Sequence, residues 1–125
     1  MTVLLLALAG GLGAVTRFVL DGTVSTVSAV RSWRYPVGTT VINLTGSFLL
    51  GLLAGLAAGA LLPASVFLVL GTGFLGGYTT FSTAAYETVR LVEQQRWGAA
   101  LLHGLGQVVL ATALAALGYI LGAVA

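Results

Sequence analysis

One histidine, three carboxylates and no cysteine leave this 125-residue chain almost no material for a hydrolytic or conventional metal centre. What it holds instead is a dense polar run inside an oily one. Residues 71–87, "GTGFLGGYTTFSTAAYE", set Gly76 and Gly77 beside Thr79, Thr80, Phe81, Ser82 and Thr83. A continuous membrane helix would prefer leucine there, so the run predicts a broken or unwound helix. A break frees backbone carbonyls and amides at membrane depth, which is tolerated only where they are buried or line a cavity. Freed carbonyls suit a small hard cation; exposed amides and hydroxyl protons suit an anion. A lone Thr would bond back to its own helix and a lone Gly would merely pack. Five polar side chains and two glycines within residues 76–83 go beyond that. Asn43, among Thr39, Thr40, Thr45 and Ser47 in "GTTVINLTGSFLLG", brings donors and an acceptor to a second apolar segment.

The elements that must position these residues are membrane helices. The chain is 58% hydrophobic and 6% charged, with a mean hydropathy of +1.08, a balance that no water-facing surface of this size accommodates. A bilayer core of roughly 30 Å needs about 20 helical residues. Four segments qualify, at 3–20, 37–62, 64–92 and 98–124, so residues 1–125 read as a single four-helix transmembrane unit. No Lys or Arg precedes the first segment and apolar segments follow it, so it reads as a span, not a cleaved leader. Pro36 fits the start of the second helix and Pro63 the turn before the third. The link "DGTVSTVSAVRSWRYP" is expected to hold a short interfacial helix, with Trp33 and Tyr35 at headgroup level. Small residues recur at helical spacing: Gly51, Gly55 and Gly59, then Gly73 and Gly77, then Gly118 and Gly122. Packing inside the subunit is the simpler use of any one pair, and together they point to an oligomer. The net charge of +2 comes from five arginines and no lysine, which points to membrane topology and away from nucleic acid.

Three blocks, "GGLGAVTRF", "YPVGTTVINLTGSFLLG" and "GTGFLGGYTTFSTAAYE", resemble the signatures of the Fluc, or CrcB, family of fluoride channels. The resemblance covers nearly the whole chain in length, order and helix count. It implies a dimer of two four-helix subunits in opposite orientations in a prokaryotic cell membrane. It also implies two narrow fluoride pores and a structural sodium ion, and passive export of fluoride that entered as HF. On this resemblance, Gly76 and Thr79 fall at the sodium ligands, through their carbonyls. Asn43 matches the pore asparagine, and Phe81 the first of two phenylalanines whose ring edges face the anion. Arg17 matches a vestibule arginine; a snorkelling anchor is the alternative. Thr80, Ser82, Thr83 and Glu87 occupy the polar track, and Glu87 also reads as an ordinary interfacial charge. Amide, hydroxyl and aromatic-edge donors would replace the water that fluoride loses without a full charge to trap it.

Two departures stand out. The family's "TTFSTF" has Ala84 in place of its second phenylalanine here, which removes an aromatic edge, and on the fourth helix His103 and Gln107 align with a tyrosine and a serine of the pore and still offer hydrogen bonds there. The arginines also gather on one side: Arg17, Arg31 and Arg34 flank the first link, Arg90 and Arg96 the third. That bias argues for one fixed orientation with both termini outside. Together these departures raise a heterodimer with an oppositely oriented paralogue, one pore being degenerate, beside the homodimer. A small proton-coupled multidrug exporter is a weaker alternative, because the first helix has no carboxylate before Asp21. A purely structural membrane protein would leave the polar break unexplained.

Overall fold

A computed structural model describes residues 1–30 and 34–125. All regular structure among them is helical, and four stretches are long and apolar enough to cross a membrane: Thr2–Ala29, Val37–Ala58, Ala64–Glu93 and Trp97–Ala123. The helices are α1 (Thr2–Val30), α2 (Val37–Ala58), α3 (residues 64–78), α4 (Phe81–Glu93) and α5 (Trp97–Ala123). Within α3, Leu68–Leu75 winds as a π-helix, and Leu102–Gly106 does so within α5. Pro36 and Pro63 cap the starts of α2 and α3, where a missing N–H is harmless.

The ends differ from the sequence boundaries for physical reasons. The first helix runs ten residues past Leu20 into the polar link, with no separate interfacial helix between Asp21 and Val30. Thr23, Thr26 and Ser28 each donate to the carbonyl four residues back, at 2.8 Å, so their hydroxyls do not compete with the helix. Trp33 and Arg31 lie outside the described residues. The Tyr35 ring turns inward and meets the His103 ring edge-on at 5.4 Å. The second helix stops at Ala58 because Ala60 takes φ 58°, and the Leu61 and Leu62 amides fold back onto the Leu56 carbonyl.

The glycines explain how the helices approach. Along the α2–α5 seam, a Cβ at Gly51 would run into the Ala115 carbonyl, and one at Gly55 into that of Tyr119. From the other side, Gly118 meets the Phe48 carbonyl and Gly122 that of Leu52. A second seam joins α1 to α3, where Gly13 lies on the Phe74 carbonyl and Gly77 on that of Gly10. These small-residue faces are used within the subunit, as close backbone packing in lipid requires. Gly59 is the exception, its nearest neighbour lying 3.6 Å from a Cβ.

The third span is broken, as its sequence predicts. Thr79 (φ −80°, ψ 160°) and Thr80 (φ −149°, ψ 122°) are extended, and α4 begins at Phe81. Asn43 of α2 holds the break: its Nδ2–H donates to the Thr80 carbonyl and the Thr80 N–H donates to its Oδ1, each at 2.8 Å. Both groups are buried, so one side chain gives the Thr80 N–H the partner that the helix no longer supplies and adds a second donor to the carbonyl that opens α4. Nearby, Ile42, Leu75 and Tyr78 form the small apolar core, and the Tyr78 hydroxyl lies 3.0 Å from Thr45 Oγ1.

Asn43→Ala is expected to lower unfolding stability in detergent by about 1–3 kcal/mol, since it leaves the buried Thr80 N–H without a partner. Hydrogen exchange at the Thr80 amide should lose its protection in the same variant. Gly51→Val and Gly55→Val should each destabilise by about 1–3 kcal/mol. Gly59→Ala should shift the same melt by less than about 1 kcal/mol.

Candidate functional site

The break creates two helix ends of opposite polarity. At the end of α3 the carbonyls lose their helical partners: the Thr80 N–H, which a continuous helix would offer to Gly76, goes to Asn43 instead. Gly76 is exposed, with open space where a Cβ would stand. The Thr79 hydroxyl bonds back to the Leu75 carbonyl at 2.9 Å, and the Thr79 carbonyl accepts from Arg17 Nη1 at 3.3 Å. At the start of α4, Thr80 is the N-cap: its Oγ1 accepts from the Thr83 N–H at 3.3 Å and lies 3.0 Å from Thr83 Oγ1 and 3.5 Å from Ser82 Oγ. The first end carries partial negative charge and the second partial positive charge.

A groove of about 1060 Å³ runs beside the break, lined by Asn43, Thr80, Phe81, Ala84, His103 and Gln107 among others. One Nδ2–H of Asn43 engages Thr80; the other has no acceptor among the described residues. Phe81 is 82% exposed, so its ring stands clear of its own subunit. Ala84 lies one turn further on the same groove and offers no ring edge. Ser82 is exposed and Thr83 half-buried.

A second polar group sits deeper. His103, within the π-helical stretch of α5, is fully buried, and its Nε2 lies 3.1 Å from Glu87 Oε2. Its Nδ1 is 3.2 Å from Thr40 Oγ1 and 3.3 Å from the Tyr35 hydroxyl. The Thr40 hydroxyl also lies 3.5 Å from Gln107 Oε1, which joins α2, α4 and α5 through one network. With Nε2–H donating to the carboxylate, Nδ1 is left to meet the two hydroxyls.

Beyond Glu87, a smaller cavity of about 330 Å³ is lined by Arg34, Arg90 and Arg96. Arg96 donates to the Arg34 carbonyl, and Arg90 donates to the Tyr86 hydroxyl at 3.1 Å. Arg17 is not among the lining residues of either space. It lies midway along α1, level with the break, and not at the end of the first span that its sequence boundary implies. The arginine asymmetry therefore rests on Arg31, Arg34, Arg90 and Arg96, the first of which is outside the described residues.

Of the residues singled out in the sequence, the structure gathers Asn43, Thr79, Thr80 and Arg17 at the break. Glu87, His103 and Gln107 gather in the second group. Thr40 and Tyr35 were not singled out as site residues. Thr40 stands three residues before Asn43, on the same face of α2, and that spacing was the available signal.

The family profile described as "CrcB-like protein, Camphor Resistance (CrcB)" matches residues 4–119. A Leifsonia xyli subsp. xyli protein named fluoride-specific ion channel FluC 1 is 54% identical over 125 residues, all of this chain and 89% of the relative. A FluC 2 of Mycolicibacterium paratuberculosis is 49% identical over 90% of this chain and 86% of its own length. A FluC 1 of Geobacillus kaustophilus is 42% identical over 95% of this chain and 96% of its own. By this likeness along nearly its whole length, the chain belongs to the CrcB family.

Proposed function

We propose that this chain is one four-helix subunit of a fluoride-selective channel in a bacterial cell membrane, which lets fluoride leave the cytoplasm passively. The observation that carries the reading is the groove beside the break, where a spare Asn43 N–H, the Phe81 ring and the hydroxyls around Thr80 provide donors without a full charge. Fluoride is small and strongly hydrated, so a path for it needs such donors in place of water. The printed names of the relatives, fluoride-specific ion channels, support the choice of ion. The chain is a conduit and not a catalyst. The exposed Phe81 calls for a second subunit to close the path, and an oppositely oriented copy set in lipid would bring another donor-lined face against it.

A structural sodium ion fits the end of α3. The carbonyls of Gly76 and Thr79 are hard oxygen donors freed by the break, and Gly76 faces open space. The Thr79 carbonyl is shared with the Arg17 guanidinium, so sodium would draw mainly on the oxygens that Arg17 leaves free. Bound sodium would tie the break of one subunit to that of the other. Replacing sodium by N-methylglucamine should lower the melting temperature of the purified protein, as loss of any native-state ligand does.

A heterodimer is the second reading, favoured by Ala84 on the groove and by the arginines gathered at one end. Some relatives bear the name FluC 1 and others FluC 2. Fluoride-loaded liposomes carrying this chain alone, with a chloride control, decide between the two. Fluoride-selective release is expected of a homodimer; no release from folded protein, restored by coexpression with an oppositely biased paralogue, identifies the heterodimer. Absence of release in both preparations would overturn the channel reading. In a conducting preparation, Phe81→Ala should slow fluoride efflux roughly fivefold through loss of one aromatic-edge contact.

A further inference from the structure

The smaller cavity lies at one end of the bundle, where α2 starts, α4 stops and α5 starts. Its volume of about 330 Å³ is that of a small ligand pocket, and Arg34, Arg90 and Arg96 line it. Every carboxylate side chain in the sequence, Asp21, Glu87 and Glu93, is among the described residues. The one that meets a basic group at salt-bridge distance is Glu87, and it meets His103. Three guanidiniums thus share a cavity with no carboxylate in contact. We infer that this cavity is a phosphate site, filled by the headgroup of an anionic phospholipid from the surrounding leaflet. The inference does not rest on the channel reading above.

Donor chemistry, charge and position agree on that ligand. A guanidinium carries its N–H groups in a planar fork that matches the oxygens of a phosphate. Arg96 Nη1 donates to the Arg34 carbonyl, which ties the link to the turn between α4 and α5, and Arg90 Nη1 donates to the Tyr86 hydroxyl with its guanidinium 5.8 Å from the ring centroid. Each bond takes one of five N–H groups and leaves the others for a ligand. Two carboxylates bear on the site: Glu87 lines the cavity with its Oε2 engaged by His103, and Glu93 lies within Coulombic reach of Arg90. Three guanidiniums against these two leave a positive surplus. Pro36 and Arg96, the N-caps of α2 and α5, also line the cavity, and Gln94, the C-cap of α4, does too. Two positive helix ends therefore meet one negative end, and neither N-cap has a side-chain capping bond to compete with an anion. A lipid carrier suits the position. Tyr86 and Trp97 are 61% and 64% exposed beside the arginines, as aromatic side chains at headgroup level are. The arginine bias places this end on the cytoplasmic side, where anionic headgroups attract basic residues.

The test titrates phosphatidylglycerol into the purified full chain in detergent, with phosphatidylcholine as the control lipid, and reads the melting temperature and the lipid retained in native mass spectrometry. Phosphatidylglycerol is expected to raise the melting temperature to a plateau, with one lipid retained per subunit, and phosphatidylcholine to do neither. Arg34→Gln and Arg96→Gln should each weaken phosphatidylglycerol binding roughly fivefold, the share of one arginine at a lipid headgroup. Arg34 is exposed, so its variant is expected to fold, and the comparison of the two lipids on the unaltered chain needs no variant at all. Inorganic phosphate, added with phosphatidylcholine alone, separates the two sources of the group. Stabilisation by inorganic phosphate without any by phosphatidylglycerol would overturn the lipid assignment. Equal retention of the two lipids by the unaltered chain, or undiminished phosphatidylglycerol binding in both variants, would overturn the site. None of these readouts uses conduction, so their failure leaves the channel reading standing, and a failed efflux assay leaves the lipid site standing.

Discussion

A backbone amide in hydrocarbon has no water to turn to, and this single constraint organises the subunit. The chain departs from continuous helix at membrane depth at Thr79 and Thr80, and it does so where a side chain from another span can take both bonds of Thr80. Asparagine suits the task because one planar group holds a donor and an acceptor at the spacing of a peptide unit. Closeness matters as much as chemistry. The glycine seams bring backbones into near contact, α2 against α5 and α1 against α3, and so fix the depth at which Asn43 meets the break.

From that one interruption come two poles. The end of α3 presents carbonyl oxygens, and a guanidinium from α1 already answers one of them at Thr79. The start of α4 presents amides, capped by the hydroxyl of Thr80. A pair of half-helices thus gives an otherwise apolar bundle a place for positive charge and a place for negative charge within a few residues of each other. The other charged groups near the site stay elsewhere: the carboxylate of Glu87 meets His103, and the remaining described arginines gather around the smaller cavity.

Much of this was legible in the sequence, for physical reasons. Hydropathy located four spans because lipid demands long apolar runs, and the prolines marked two helix starts because only there is a missing N–H harmless. The break was legible in "GGYTTFST", since no stable membrane helix gathers that many small and hydroxyl residues without a use. What was not legible came from tertiary context. Hydroxyls that bond back to their own helix made the polar residues 21–30 look like a link when they extend α1. That shift moved Arg17 from a helix end to mid-helix. Tyr35 and Thr40 became part of the site only because α5 carries His103 against them, a contact spanning more than sixty residues of chain. The π-helical turns that hold His103 and the glycines of α3 have no single-sequence signature at all.

Because the clamp comes from a different span, the break is a tertiary event. A broken third span entering the bilayer by itself would leave the Thr80 N–H bare, and a continuous helix is then its cheapest form. Membrane proteins insert their spans first and assemble them afterwards. The clamp on Thr80 is therefore complete only where α2 brings Asn43 against the third span. Insertion machinery therefore sees four ordinary spans, and the polar interior is disclosed only once they have found one another.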